Sequence, residues 1–324
     1  MRKQECSCSC EFPLTREISI LGTPVRVKNY ICARDGGAYR QKPDRITLQL
    51  SILPTGYCNA RCPFCIAAPT DDPRRLDPAK LRRTLESLRR EEIVRGVSVT
   101  GGEPSLDMGL LNDVISMIFD VFGTGMQVTL YTNGTGIRQL GQIQNLTRID
   151  AIHLSRHHWE DGVNDRVFGR KMPRAAEIRE VLDEIRCPDL FVLNCMMLKG
   201  AVSTPEDAHR YLDFAIETGC GKVSFITASP VNEWTAAHLV RFDEVLQEDD
   251  SSLLFTREYR DFSWCRCRDG VYVSPAGKLI EFYGRQTDTT GCDYCRGLVY
   301  GPDDLLRTGY GKACRVLDPA PEKN

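Results

Sequence analysis

Three cysteines, Cys58, Cys62 and Cys65, stand in a CxxxCxxC pattern within "TGYCNARCPFCIAAP", just after the apolar run "ITLQLSIL". Three chemistries suit thiolates this close together: a zinc site short of one ligand, a redox pair with a bystander, or three-quarters of the shell of an iron–sulfur cluster. A structural zinc closes four ligands, and no further Cys or His follows before His153. The set therefore reads as an open site, with one position left free to bind something else, as catalytic metals keep a vacancy.

The chain has 15 cysteines in 324 residues. Its start, "MRKQECSCSCEFPL", has no apolar core of a signal peptide, and no apolar run reaches the ~18 residues of a spanning helix. A cytosolic protein that contacts no membrane is expected. That compartment keeps thiols reduced, so ligation explains the cysteines better than disulfides do. A formal net charge of −2 supplies no global field for nucleic acid, and none is expected as a partner.

Such a loop needs a scaffold, and from Arg45 onward short β-rich runs alternate with amphipathic stretches. Strands are expected at Ile46–Leu53, Gly96–Thr100, Met126–Thr132, Ala151–Ser155, Leu190–Met197 and Lys222–Thr227. Asp77 with Pro78, and Thr204 with Pro205 and Asp207, read as helix starts. Gly219 and Gly221 read as the stop of the second of these helices. Strand–helix units in alternation imply an α/β fold with a parallel sheet and right-handed crossovers. Functional groups then sit on loops at the carboxyl ends of the strands, where the Cys58 loop lies. A hairpin is expected in "REISILGTPVRVKNYI", turning near Gly22, Thr23 and Pro24, and a second one turning at Pro275, Ala276 and Gly277.

Other segments follow the strands in order: "VTGGEPSL", "YTNGT", "HLSRHHWEDGVNDRVFG", "LNCMMLKG" and "VSFITASP". Together with CxxxCxFC, whose aromatic is Phe64, they resemble the radical S-adenosylmethionine (radical SAM) superfamily over about residues 46–230. The resemblance implies a partial (βα)6 TIM-like barrel with a [4Fe–4S] cluster on Cys58, Cys62 and Cys65. The free iron would chelate SAM, which is cleaved reductively to a 5′-deoxyadenosyl radical that abstracts a substrate hydrogen. It further implies that Gly101, Gly102, Glu103 and Pro104 line the SAM amino group and that Asn133 forms the TNG turn. Ser155, Arg166 and Asn194 become SAM contacts on the same grounds. The family's SLD motif is broken here, with Arg156 in place of its Asp. Arg156, His157 and His158, just past the fourth strand, are candidate substrate or proton-handling groups. A reductant such as flavodoxin or ferredoxin is implied, with activity confined to anaerobic conditions.

Cys265, Cys267, Cys292 and Cys295 form a CxC and a CxxC around the second hairpin, the ligand count of a zinc knuckle or an auxiliary cluster. This region resembles the twitch or SPASM extension of radical SAM proteins, although Glu281 and Phe282 stand where a Cys of that pattern falls. Cys314 or an N-terminal cysteine could replace one of the four. "CSCSC" with Cys32 could hold a further metal. The chain thus divides into an N-terminal hairpin segment (1–44), a barrel (45–250) and a cysteine-rich C-terminal region (251–324).

The strand motifs "LNCMMLKG" and "VSFITASP" resemble the molybdopterin-precursor cyclase branch, yet the end "DPAPEKN" lacks that enzyme's terminal Gly-Gly. Few residues precede the barrel for a leader-binding domain. A small molecule, or a peptide presented without a leader, is the expected substrate. The alternatives are a methyl- or methylthiotransferase, and a non-catalytic iron–sulfur or zinc binding module.

Overall fold

The structure is a computed structural model that describes residues 15–29, 45–66, 73–245, 256–262, 267–273, 279–284, 295, 297–310 and 314–317. "CSCSC", Cys32, Cys265, Cys292 and the turn at Pro275 to Gly277 lie outside the described residues.

A hairpin opens the fold, β1 (Thr15–Ile20) against β2 (Thr23–Lys28). Its two-residue turn is Leu21 and Gly22, both at positive φ (50° and 77°), the type I′ geometry that matches strand twist. The turn falls slightly earlier than the sequence expectation.

Six strands then form the parallel heart of the sheet: β3 (Leu48–Ile52), β4 (Val94–Val99), β5 (Gln127–Thr132), β6 (Ala151–Ser155), β7 (Phe191–Met197) and β8 (Lys222–Thr227). They lie side by side in chain order. The helices are α1 (Pro78–Glu91), α2 (Met108–Phe122), α3 (Asp161–Phe168), α4 (Ala175–Ile185), α5 (Pro205–Glu217), α6 (Glu233–His238) and α7 (Phe242–Val245). Asp77 caps α1, accepting from the backbone N–H of Ala79 and Lys80, and Leu81, Leu85 and Leu88 bury its inner stripe. Thr204 and Asp207 close a capping box on α5.

Side-chain alternation sorts the strands into two faces. Leu50, Val97, Leu130, Ile152, Leu193 and Phe225 join the main apolar core that takes in buried residues of α1, α2, α4 and α5. The opposite face is polar: Gln49 Nε2 donates to Ser98 Oγ at 3.0 Å, Ser98 meets Thr129 at 2.9 Å, and the rings of Tyr131 and His153 stack at 4.3 Å. An α/β sheet with one face under helices and one lined by polar groups is the partial TIM-like barrel expected.

Later strands extend this sheet at both edges. β9 (Thr256–Phe262), β10 (Cys267–Val273) and β11 (Leu279–Gly284) form a meander whose β11 runs parallel to β8. β12 (Gly297–Tyr300) runs parallel to β3 at the other edge, followed by β13 (Leu306–Arg307) and β14 (Val316–Leu317). Among the described residues the sheet stays open, with β14 and β9 at its margins.

Removing the α5 cap should weaken the fold without touching the cysteine loop. Thr204→Ala is expected to cost about 1 kcal/mol, seen as a melting temperature lower by roughly 2–4 °C; an unchanged melting curve would show the cap to be dispensable.

Candidate functional site

The cysteine loop leaves the carboxyl end of β3 and is fastened on three sides. Gly102 N–H donates to Thr55 O (3.0 Å) and Glu103 N–H to Tyr57 O (2.9 Å), so the loop after β4 pairs with it like a short strand. Gly102 has to be glycine: a Cβ there would sit 1.9 Å from the Tyr57 carbonyl oxygen. On a second side Arg61 N–H donates to Phe168 O at the end of α3 (2.8 Å). On the third, Leu53 N–H donates to Tyr300 O of β12 (2.9 Å).

Cys58, Cys62 and Cys65 are all half-buried on this loop. Cys58 and Cys62 pack against Ala60, Phe168 and Met172. Burial pushes the Cys62 thiol up, and the neighbouring Cys65 and Cys58 push it further. Burial also raises Cys58, against hydrogen bonds from the Ala60 backbone and Asn133. Thiols that disfavour one another's ionisation are near neighbours whose thiolate charges call for a cationic centre. Among the described residues no three His, Cys, Asp or Glu converge as ligands of a single ion do. The donor set fits a cluster, in which each thiolate takes its own iron.

Glu103 is buried, and its carboxylate is the hub beside this loop. It accepts from Ser105 N–H (3.0 Å), Ser105 Oγ (2.7 Å), Thr132 Oγ1 (2.7 Å) and Asn133 N–H (2.6 Å). Burial pushes its carboxyl up, and these four donors pull it back down. The Glu103 side chain thus ties the β4 loop to the β5 turn, while Pro104 opens a buried 3-10 turn. Asn133 carries the link onward. Its Nδ2 donates to Asn59 Oδ1 (2.9 Å) and lies 3.8 Å from Cys58 Sγ, and Asn59 Nδ2 donates to Thr135 Oγ1 (3.0 Å). Gly101 (φ 124°) and Gly134 (φ 83°) make the two turns possible.

Phe64 forms an aromatic wall with His157, edge-on at 5.1 Å, and Trp234 at 6.4 Å; His157 in turn stacks on Phe168 at 4.7 Å. His157 is buried, and its Nδ1 accepts the Met196 N–H at 3.0 Å, which places the ring proton on Nε2. Burial, with help from the Arg156 charge, lowers its pKa to about 3. The sequence expectation of a proton-handling group is corrected accordingly: His157 is a neutral, fixed donor. His158 points its chemistry into its own loop, its Nδ1 accepting from Glu160 N–H (2.9 Å) while the ring stacks on Trp159 at 3.7 Å.

Arg156 is corrected as well. It is 1% exposed, and its guanidinium donates to His158 O, Pro173 O, Trp159 O and Asp161 Oδ1. Standing where the family motif has an Asp, it organises the β6–α3 loop and leaves no free face for substrate. Ser155 and Asn194 pair in register at the strand ends, with Ser224 beyond. Asn194 Oδ1 has no hydrogen-bond partner among the described residues. Arg166 is exposed on the last turn of α3 and is not brought to the cysteine loop.

Of the four-cysteine set expected of the C-terminal region, Cys265 and Cys292 lie outside the described residues, and the other two stand at different ends of the sheet. Cys267 begins β10, level with the carboxyl end of β11 beside β8, whereas Cys295 precedes β12 at the amino end of the sheet beside β3. Cys295 N–H donates to Arg26 O (2.7 Å). Its thiol is pushed up to about 11 by burial, with a smaller push from Cys314. Cys314 lies between β13 and β14, at that same end. Cys295 and Cys314 are therefore neighbours, and Cys267 belongs elsewhere. Cys187 is exposed, and Cys195 and Cys220 are buried.

Sequence reasoning missed Asn59, Ser105, Thr132 and Phe168. Asn59 lies between two cysteines, where an Asn reads only as a turn residue.

The family model described as the radical SAM superfamily matches residues 52–232. A probable GTP 3′,8-cyclase of Sulfurisphaera tokodaii is 25% identical over 272 residues, 83% of each chain. The GTP 3′,8-cyclase of Mycolicibacterium smegmatis is 26% identical over 222 residues, 63% of this chain and 57% of that one. Among solved structures, Streptococcus suis SuiB bound to S-adenosylmethionine aligns with a TM-score of 0.54 at 15% identity, covering 84% of this chain. The chain spans 63% of SuiB, and the likeness is one of fold.

Glu103→Gln would set an amide N–H₂ against one fixed backbone donor, either Ser105 N–H or Asn133 N–H. It should lower the unfolding free energy by about 2–3 kcal/mol, measured by urea denaturation; an unchanged midpoint would show that the carboxylate is not the hub. His157 gives a pH signature. Its folded pKa lies below the ordinary 6.5, so its stabilising share is complete above that value and is withdrawn as pH falls toward about 3. His157→Gln should flatten the acid limb of stability between pH 6.5 and 4 by up to about 1.4 kcal/mol per pH unit. Parallel limbs for the two proteins would refute a buried neutral imidazole.

Proposed function

The chain belongs to the radical SAM superfamily and is an enzyme of that kind; on that premise we propose that it abstracts hydrogen from an uncharged, polar small molecule or a peptide. The observation that carries this is the seating of the Cys58–Cys65 loop against Asn133 and Glu103 at the carboxyl end of a half-barrel whose inner face is polar. When bound, a [4Fe–4S] cluster and SAM supply the 5′-deoxyadenosyl radical that takes the substrate hydrogen.

On this reading Cys58, Cys62 and Cys65 would hold the cluster, and Asn133 Nδ2 orients Cys58 while donating toward its sulfur. The Gly101 to Pro104 segment, Ser155 and Asn194 would meet SAM. Phe64, His157 and Phe168 exclude water from the loop's inner side. Gln49, Ser98, Thr129, Asn194 and Ser224 offer hydrogen bonds without charge along the inner face, which supports a substrate rich in hydroxyl or amide groups. Electrons come from a flavodoxin- or ferredoxin-type donor.

Residues 251–324 add strands to both sheet edges and carry the second cysteine group, while residues 45–250 carry the radical chemistry. We infer that an auxiliary cluster is anchored by Cys295 and Cys314, which stand together beside β12 and β13.

Anaerobically reconstituted enzyme should convert SAM to 5′-deoxyadenosine under reducing conditions, and changing Cys58, Cys62 and Cys65 to Ala should abolish this. About four irons per chain should remain in that triple variant and disappear when Cys295 and Cys314 are also changed to Ala. No iron in the triple variant would sink the auxiliary cluster, and SAM cleavage by the triple variant would sink the whole reading.

A further inference from the structure

One bond across the mouth of the half-barrel has no part in the chemistry above. Asn232, between β8 and α6, donates from Nδ2 to Pro63 O at 2.8 Å. Pro63 belongs to the cysteine loop after β3, and four strands, β4 to β7, lie between β3 and β8 in the sheet. Loops that far apart along a sheet meet only where the sheet curves back on itself. The amide is set before it reaches: Asn232 Oδ1 accepts from Thr235 N–H (2.8 Å) and Thr235 Oγ1 (2.6 Å), and Thr235 is fully buried. The far end of α6 is fastened in turn, since Lys199 N–H donates to His238 O (3.0 Å) and the Trp234 and His238 rings stack at 3.9 Å.

What Asn232 holds is the arc between the second and third cysteines. Cys65 N–H donates to Cys62 O at 3.2 Å, closing a four-residue turn with Pro63 and Phe64 at its centre. Pro at the second position suits a type I or a type II turn, and the two differ in which way the central peptide faces. Type II needs a positive φ at the third position, and among the described non-glycine residues only Leu21, Glu92, Arg186 and Asp304 have one. The turn is therefore type I, with the Pro63 carbonyl turned to Asn232. Its own bond lies at the long end of the ordinary range, and many turns do without that bond altogether, so it is a weak hold alone. Phe64 is a second anchor on the same arc, its ring packed against the apolar cluster of Leu198, Ala201 and Ala228 and near Trp234 of α6. A polar strap and an aromatic anchor thus act on adjacent residues, one at each end of the central peptide.

Resting on the radical SAM reading, we propose that Asn232 is a positioning residue for the ligand loop: its Nδ2 fixes the Pro63 peptide, and through it the placing of Cys62 and Cys65, before any metal arrives. Ligands on a loose arc would have to be ordered at the moment of binding, whereas a turn already held by a rigid outside group has less freedom to lose. Asn232 acts through a backbone carbonyl rather than through sulfur, unlike Asn133, whose Nδ2 lies 3.8 Å from Cys58 Sγ. The two asparagines secure opposite ends of the loop, the first cysteine from the β5 turn and the last two from beyond β8.

Two substitutions separate the strap from the helix cap. Asn232→Asp and Asn232→Ser both keep an oxygen able to cap α6, but the first sets a carboxylate against Pro63 O and the second is too short to reach it. In the full-chain protein before reconstitution, hydrogen–deuterium exchange across residues 62–66 should quicken about five-fold or more in both variants, the equivalent of one lost hydrogen bond, while exchange across α1 stays as in the native protein. In the reconstituted holoenzyme, loss of iron to a chelator should quicken by a similar factor, and the electron paramagnetic resonance signal of the reduced cluster should broaden. Exchange and iron loss equal to native in both variants, or disturbed only in Asn232→Ala, where the cap is lost as well, would overturn the role. Failure of the native holoenzyme to cleave SAM under reducing conditions, with exchange still quickened in the Asp and Ser variants, would instead overturn the reading on which it rests.

Discussion

Everything at the site depends on one buried carboxylate being satisfied. Glu103 sits where three loops meet, and an unpaired carboxylate at that depth would be strongly unfavourable. Its acceptors are met by Ser105, Thr132 and the Asn133 backbone, so it can be buried only if the β4 loop and the β5 turn take these positions together. Asn133 is thereby aimed at Asn59 and Cys58. The cysteine spacing becomes a site through a chain of obligations that begins two strands away.

Polarity along the sheet supplies the second constraint. Parallel strands put every carboxyl end on one side, which gathers the cysteine loop, the Gly-Gly-Glu turn and the Asn133 turn without further design. The C-terminal strands obey the same polarity. Because β11 and β12 run parallel to β8 and β3, the cysteine that opens β10 and the one that precedes β12 are sent to opposite ends. One sheet can thus present two separated cysteine groups, with a polar face between them.

Much of this was legible in the residues. The six parallel strands, the Asp77 and Thr204 caps and the cysteine loop follow from local pattern, where alternation and capping chemistry act over a few residues. What could not be read was long-range pairing. Cys267 and Cys295 look like members of one ligand set because they flank one hairpin, yet strand order carries them to different ends of the sheet. The buried role of Arg156 and the hub role of the Glu103 side chain were not legible because they depend on residues 5 and 30 positions away, as the bonds to Asp161 and Asn133 show. Exposure decided Arg166, since one turn of a short helix separates a group that faces the site from one that faces solvent.

The pairing of β12 with β3 also has a meaning for how the protein comes into being. Leu53, which opens the cysteine loop, is held by Tyr300, a residue from the far end of the chain. During synthesis residues 48–66 emerge long before 297–300, so the first strand waits with a bare edge while the other five β–α units assemble beside it. Closing so large a loop is slow. The ligand loop can therefore take its final seat only after residues 297–300 have been made, and a product truncated before them would lack the bond that holds Leu53.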